Sequence, residues 1–313
     1  MDCGKSSDSL LMPRRFLIRS ITGCWISVIA ACGLAVMAAP MADPSPASAS
    51  TALSGDERAT NGPAPARMQI QAQPRTDPNS RLAHEELLRK AAQGGIDVYF
   101  EGDSITRRWG TSDRQYQDFL AHWNSNFHGW NAGNFGWGGD TVQNILWRLE
   151  NGELNEVNPK VIVLMAGTNN LRDTPDAKDR AAQEEEVVLG IEAILTLMRQ
   201  KSPRSTIILM GITPRNDGTH SASWAATIDR INHRIARFAD GNQTRFLNIN
   251  DKLAGSDGQL CEGVTVDGLH LSIKGYQIWA DALKPMLTEL LGPPAKMDRA
   301  PAPTGDPSAK KPR

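Results

Sequence analysis

The 313-residue sequence predicts an α/β protein, a three-layer α/β/α sandwich with a five-stranded, mostly parallel sheet. Three observations carry this expectation. Short apolar runs alternate along the chain with segments of helical periodicity, the order expected of strands joined by crossover helices. The runs are apolar at consecutive rather than alternate positions, so the sheet is covered on both faces and is therefore parallel. Several runs also end in small and polar residues, where a doubly wound sheet opens its binding crevice.

Taken in order, strands are expected at residues 96–100, 131–135, 161–165, 206–210 and 246–249. Val161, Ile162, Val163, Leu164 and Met165 form the clearest of them. Between the strands, Val142, Ile145, Leu146 and Leu149 share one helix face. Val187, Leu189, Ile191, Ile194, Leu195 and Met198 mark a long apolar helix. Ile228, Ile231, Ile235 and Phe238 form a stripe for which Gly241 is a natural C-cap. A final helix is expected over residues 276–291, bent or restarted near Pro285.

The folded unit is expected at residues 80–292. Residues 1–42 read as an export leader: Arg14 and Arg15 precede an Ala-rich apolar run that ends in small residues. Residues 36–38 and 47–49 are candidate cleavage sites, and the Arg14-Arg15 pair loosely resembles a twin-arginine signal. An uncleaved anchor and lipidation at Cys32 are the second and third readings, so contact with a membrane is expected only through the leader. Residues 43–79, rich in Pro, Ala and Ser, read as a disordered linker, and residues 293–313 as a disordered tail. Three of the four cysteines, Cys3, Cys24 and Cys32, fall in the leader, which leaves Cys261 to be read as a packed small residue. A net charge of −1 gives no electrostatic case for nucleic acid. His84, His122, His128, His220 and His233 lack metal-ligand spacing, so neither metal nor organic cofactor is expected.

The chemistry lies in four segments. The first strand runs into Gly102, Asp103 and Ser104; the second leads to Gly138, Gly139 and Asp140; the third leads to Gly167, Thr168, Asn169 and Asn170. Near the C-terminus, Asp267 stands three residues before His270. A serine hydroxyl is a weak nucleophile that needs a base within hydrogen-bond reach. His270 titrates in the right range, and Asp267 on the same turn can hold one imidazole tautomer. Attack on an ester builds negative charge on oxygen, which the N–H groups of Ser104 and Gly139 and the amide of Asn169 can receive. Other polar residues have plainer readings: Asp140 as a helix N-cap reciprocated by Gln143, Asp103 as a shaper of the nucleophile turn, Asn170 as structural, and Arg107 and Arg108 as a solvated face. Five of the eight tryptophans lie between Trp109 and Trp147 and read as packing, with Trp137 set apart as a possible substrate contact.

The four blocks, in this order, resemble those of the SGNH (GDSL-like) hydrolases, whose Ser, Gly, Asn and His correspond to Ser104, Gly139, Asn169 and His270. The resemblance is stronger to the branch of the intracellular platelet-activating factor acetylhydrolase catalytic subunits, through residues 134–136, 138–140, 145–149, 151–154 and 167–170. It implies a flavodoxin-like sheet, a Ser104–His270–Asp267 triad and an oxyanion hole of Ser104, Gly139 and Asn169. It further implies an acyl pocket narrowed by Ile105 and Leu269, and hence short acyl groups. Two departures stand out: Ile105 replaces the usual leucine, and the leader is foreign to a cytosolic branch. The expectation is an exported esterase acting on a small-molecule or glycan ester. A glycan O-acetyltransferase and a non-catalytic glycan- or lipid-binding module are the alternatives.

Overall fold

In the computed structural model, residues 69–219 and 221–310 are described. The leader, with Arg14, Arg15, Cys32 and both cleavage sites, lies outside them, as do most of the linker and His220. Five strands, β1 (Val98–Gly102), β2 (Ala132–Asn134), β3 (Val161–Met165), β4 (Thr206–Met210) and β5 (Thr244–Leu247), form one sheet in the order β2-β1-β3-β4-β5. Every pairing is parallel. Eight α-helices accompany them among the described residues: α1 (Pro78–Ala92), α2 (Ser104–Trp109), α3 (Gln117–Phe127), α4 (Val142–Arg148), α5 (Ala177–Lys201), α6 (Ser221–Ile235), α7 (Asn250–Leu253) and α8 (Ile273–Leu291).

Strand residues alternate between two cores. Tyr99, Ile162, Leu164, Ile207 and Leu209 face a layer built from α1, α4, α5 and α6. Val98, Phe100, Val163, Met165, Ile208 and Met210 face the other, built from α2, α3, α7 and α8. Burial of both faces explains why the strands carry no polar alternation. Trp109, Trp123 and Trp130 belong to the second core, where Trp109 stacks on Tyr276 at 4.7 Å.

Strands β3 and β4 occupy the residues expected of them. Strand β1 starts later, because the Asp97 carbonyl turns aside to accept the N–H groups of Lys160 and Val161. It extends through Glu101, which is fully buried against the Arg148 guanidinium at 2.6 Å. Strand β5 stops at Leu247, where the Asn248 side chain accepts the Asn250 N–H at the start of α7. Helix α6 ends at Ile235 and tightens into a 3₁₀ turn, Ala236–Phe238, before Gly241 is reached. Helix α8 is a single helix with Pro285 inside it.

The flanking segments differ from expectation. Residues 69–77 were expected within the linker, yet they run along the domain: Ile70 and Ala72 pack on the first core, and Gln73 exchanges hydrogen bonds with Gln143 and Asn144. Past Gly292 the chain has little regular structure but is not loose. Ala295 N–H donates to Gly129 O, Ser112 N–H to Thr304 O, and Asn79 Nδ2 to Asp306 Oδ1 at 2.8 Å. Backbone partners supplied from distant residues fix both segments where composition alone predicts disorder. Cys261, expected as an unpaired packed residue, is disulfide-bonded.

Candidate active site

The four segments converge at the C-terminal edge of the sheet. Ser104 opens α2 directly after β1, Gly138 and Gly139 follow β2, and Thr168 to Asn170 form a turn just after β3. The parallel order brings these three strand ends side by side, beside the point where the chain reverses direction across the sheet.

The Ser104 turn is held from within. The Asp103 carboxylate accepts the Ile105 N–H at 2.9 Å and caps α2, the turn-shaping role expected of it. Burial pushes its pKa up to about 7. The opposite side is a loop carrying His270. Val266 N–H donates to His270 O, and Asn216 N–H, after β4, donates to Gly268 O at 2.8 Å. Gly268 has φ +81°, a left-handed conformation that glycine takes at little cost, and a Cβ there would crowd the Asn216 side chain at 2.4 Å.

The docked loop brings His270 Nε2 to 2.9 Å from Ser104 Oγ, across 166 residues of sequence. His270 Nδ1 lies 2.7 Å from Asp267 Oδ2. The second carboxylate oxygen, Oδ1, accepts the backbone N–H groups of His270 and Leu269. Partial burial acts to raise the Asp267 pKa, but these hydrogen bonds and the His270 ring outweigh it and hold the carboxyl down at about 2. His270 is shifted below its ordinary value, first by burial and then by the Arg108 cation, with Asp267 opposing both. Its neutral form, the one able to accept a proton, is therefore favoured near neutrality.

Gly139 adopts φ +79°, a left-handed conformation that glycine takes at little cost. A Cβ on Gly138 would come 3.9 Å from Ser104 Cβ, so the Gly138–Gly139 peptide lies beside Ser104. Asn169 Nδ2 donates one hydrogen to Asp140 O at 2.9 Å, and this fixes the direction of its second N–H. Asn170 faces the other way, with Oδ1 accepting the Val142 N–H at the start of α4.

Asp140 is not the cap of α4. Thr141 takes that place, reciprocated by Asn144. The Asp140 side chain is instead fully buried against Arg148 Nε at 2.7 Å and Arg75 Nη1 at 3.4 Å. Burial raises its pKa to about 6 against the pull of Arg148. Arg148 also pairs with Glu101 and Glu153 and donates to Phe135 O at 2.9 Å, so one guanidinium ties the ends of β1 and β2 to the Gly139 loop.

The three residues expected around an acyl group are placed differently from one another. Ile105 is 1% exposed within the second core, under Tyr276, whose hydroxyl donates to the Ile105 carbonyl. Leu269 keeps partial exposure on the base loop. Trp137 is buried, its indole N–H donating to Ser80 Oγ at 2.8 Å and its ring facing the Arg107 guanidinium, so it packs between α1 and α2 instead of facing an acyl group. Arg107 pairs with Asp113, and Arg108 lies 3.4 Å from Asp267 Oδ2, so neither belongs to a merely solvated face. Arg108 stands four residues after Ser104, one helical turn along the same face, and that spacing is the signal that could have found it. Arg215 was also missed; its Nη1 donates to Thr168 O at 2.9 Å and steadies the turn that carries Asn169.

Residues 100–278 match the GDSL-like Lipase/Acylhydrolase family. The chain belongs to this family. The GDSL-like chain is 31% identical to platelet-activating factor acetylhydrolase IB subunit alpha1 of Bos taurus over 256 residues, 82% of this chain and all of that protein. A solved structure from Streptococcus pneumonia named for platelet activating factor is similar to it with a TM-score of 0.53 and 25% identity, covering 67% of this chain and 92% of that one. A GDSL-like lipase from Bacteroides thetaiotaomicron shares the fold at a TM-score of 0.51 and 22% identity, over 66% of this chain and 98% of its own. As a GDSL-like acylhydrolase, the protein is a hydrolase of the esterase and lipase type on an all-parallel α/β sandwich.

Proposed function

We propose that this protein is an exported serine esterase that cleaves short-chain carboxylic esters, acetyl esters first, through an acyl-enzyme on Ser104. The observation that carries the reading is the continuous chain from Ser104 Oγ to His270 Nε2 at 2.9 Å and from His270 Nδ1 to Asp267 Oδ2 at 2.7 Å. In the first half-reaction, Ser104 Oγ attacks the ester carbonyl as its proton passes to His270 Nε2. Asp267, ionised at any working pH, stabilises the imidazolium and keeps Nδ1 as the donor. The N–H groups of Ser104 and Gly139 and the free amide hydrogen of Asn169 receive the oxyanion. His270 returns its proton to the departing alkoxide, and the alcohol leaves. A water deprotonated by the same imidazole then releases the carboxylic acid and restores Ser104.

Preference for acetyl is supported by the acetylhydrolase relative, and export by the basic and apolar leader pattern. The test is hydrolysis of p-nitrophenyl acetate, butyrate and octanoate by the full chain and by Ser104→Ala. Wild-type turnover falling from acetate to octanoate, with at least about a thousand-fold loss in the variant, is expected. Equal turnover by the variant would refute the nucleophile, and a preference for octanoate would refute the short-acyl assignment.

A further inference from the structure

The segment that precedes the domain reaches the oxyanion loop. Gln73 N–H donates to Gln143 O at 3.1 Å and Gln73 O accepts Asn144 Nδ2 at 2.9 Å, which pins the strap to the first turn of α4. Two residues on, Arg75 Nη1 donates to Gly138 O at 2.9 Å and approaches Asp140 Oδ1 at 3.4 Å, while Nη2 pairs with Asp77 at 3.2 Å. The guanidinium is thus held from both sides, by its own strap and by the loop it touches. Arg75 precedes the residues that match the family.

The carbonyl it grips belongs to the same peptide unit as the Gly139 N–H. A trans peptide is planar, and its C=O and N–H point in opposite directions. Fixing one end of this unit therefore fixes the other. The lock is needed here because both flanking residues are glycines, whose φ and ψ freedom lets a peptide turn over cheaply. Without a partner on the carbonyl, rotation about the Gly138 ψ and Gly139 φ axes would swing the N–H away from the nucleophile.

We infer that Arg75 is a positioning residue for ester hydrolysis, locking the Gly138–Gly139 peptide so that the Gly139 N–H faces the developing oxyanion. The inference rests on the esterase reading above. Arg75 touches no reacting atom; it acts through the peptide plane. Its contact with Asp140 adds a second restraint on the loop, because the Asp140 carbonyl holds Asn169 Nδ2 and so two of the three expected donors hang from residues that Arg75 restrains.

The experiment compares full-length wild type, Arg75→Met, Arg75→Lys and Arg81→Met. Arg81 is an exposed arginine on α1 that lines the same cavity of about 200 Å³ as Arg75. With p-nitrophenyl acetate, Arg75→Met is expected to lose about ten- to thirty-fold in kcat with KM within two-fold, less than the loss of a donor itself. Arg75→Lys should recover most of this, since an ammonium can still donate to the Gly138 carbonyl although it cannot also fork to Asp77. Arg81→Met should match wild type. Hydrogen exchange of the peptide spanning residues 136–141, in protein without substrate, should speed up only in Arg75→Met. Unchanged kcat and unchanged exchange in Arg75→Met would overturn the inference while leaving Ser104-dependent hydrolysis intact. A wild type without Ser104-dependent hydrolysis would instead overturn the esterase reading, and the exchange measurement would still decide whether the peptide is locked.

Discussion

The two sides of the site hold their carboxylates in opposite ways. On the base side, Asp267 sits on a loop with its side chain 45% exposed, yet its pKa is held down at about 2 by backbone N–H groups and the His270 ring. On the oxyanion side, Asp140 is fully buried and its pKa is pushed up to about 6 in spite of Arg148. The first carboxylate is placed by local hydrogen bonds within one turn, the second by a guanidinium that also binds two further carboxylates and the Phe135 carbonyl just past β2. Under the proposed mechanism, the difference teaches that the His270 side is built for charge and the Gly139 side for fixed direction. An imidazolium forming in each half-reaction needs an ionised neighbour. An oxyanion needs donors that do not move when charge appears.

The contrast predicts different failures. Asp267→Asn should lower kcat by about ten-thousand-fold by favouring the wrong tautomer. Because the group is exposed, thermal unfolding should move by less than about 2 °C, and a large loss of stability in calorimetry would break the comparison. Asn169→Ala should cost about a hundred- to a thousand-fold in kcat with little change in KM, as the loss of a single oxyanion donor does. Asp140→Ala should act mainly on stability, by about 3–5 kcal/mol in urea titration, because it leaves part of the Arg148 charge buried without its partner. Arg108→Met should have the smallest effect. His270 must be neutral to act, so kcat/KM falls as pH drops through its pKa, which lies below the ordinary value. Removing the cation raises that pKa, and the acid limb of the profile should move to higher pH. A shift to lower pH would mean that Arg108 acts on His270 mainly through Asp267.

The same contrast explains what the sequence made legible. The base side is local: Asp267 and His270 sit three residues apart, and their pairing could be anticipated from spacing. Strands β3 and β4 were legible because burial on both faces leaves an unbroken apolar run. The support of the oxyanion side is not local. Glu101 lies one residue past the expected first strand, and its burial is explained only by Arg148, 47 residues away. Asp140 looks like a cap because it precedes a helix, but Thr141 with Asn144 makes the better reciprocal pair and frees Asp140 for the interior. Ile105 sits next to the nucleophile in sequence, yet a helical residue following Ser104 points into the core packed around Trp109 and Tyr276. Arg75 stands in a segment of linker composition, and only its contacts across 63 residues reveal its place. The ordered stretch past Gly292 is hidden for the same reason, since hydrogen bonds to remote backbone leave no periodicity behind.

The Asn79–Asp306 contact has a practical corollary. At 2.8 Å it puts the beginning of α1 next to the last of the described residues. A circularly permuted protein, with a short bridge spliced across that contact and new ends cut in the exposed turn at Gly241, would keep every strand pairing but shed the Arg75 strap, which precedes Asn79. Such a rearranged chain would leave the face bearing Ser104 clear for attachment to a solid support from the opposite, freshly opened corner.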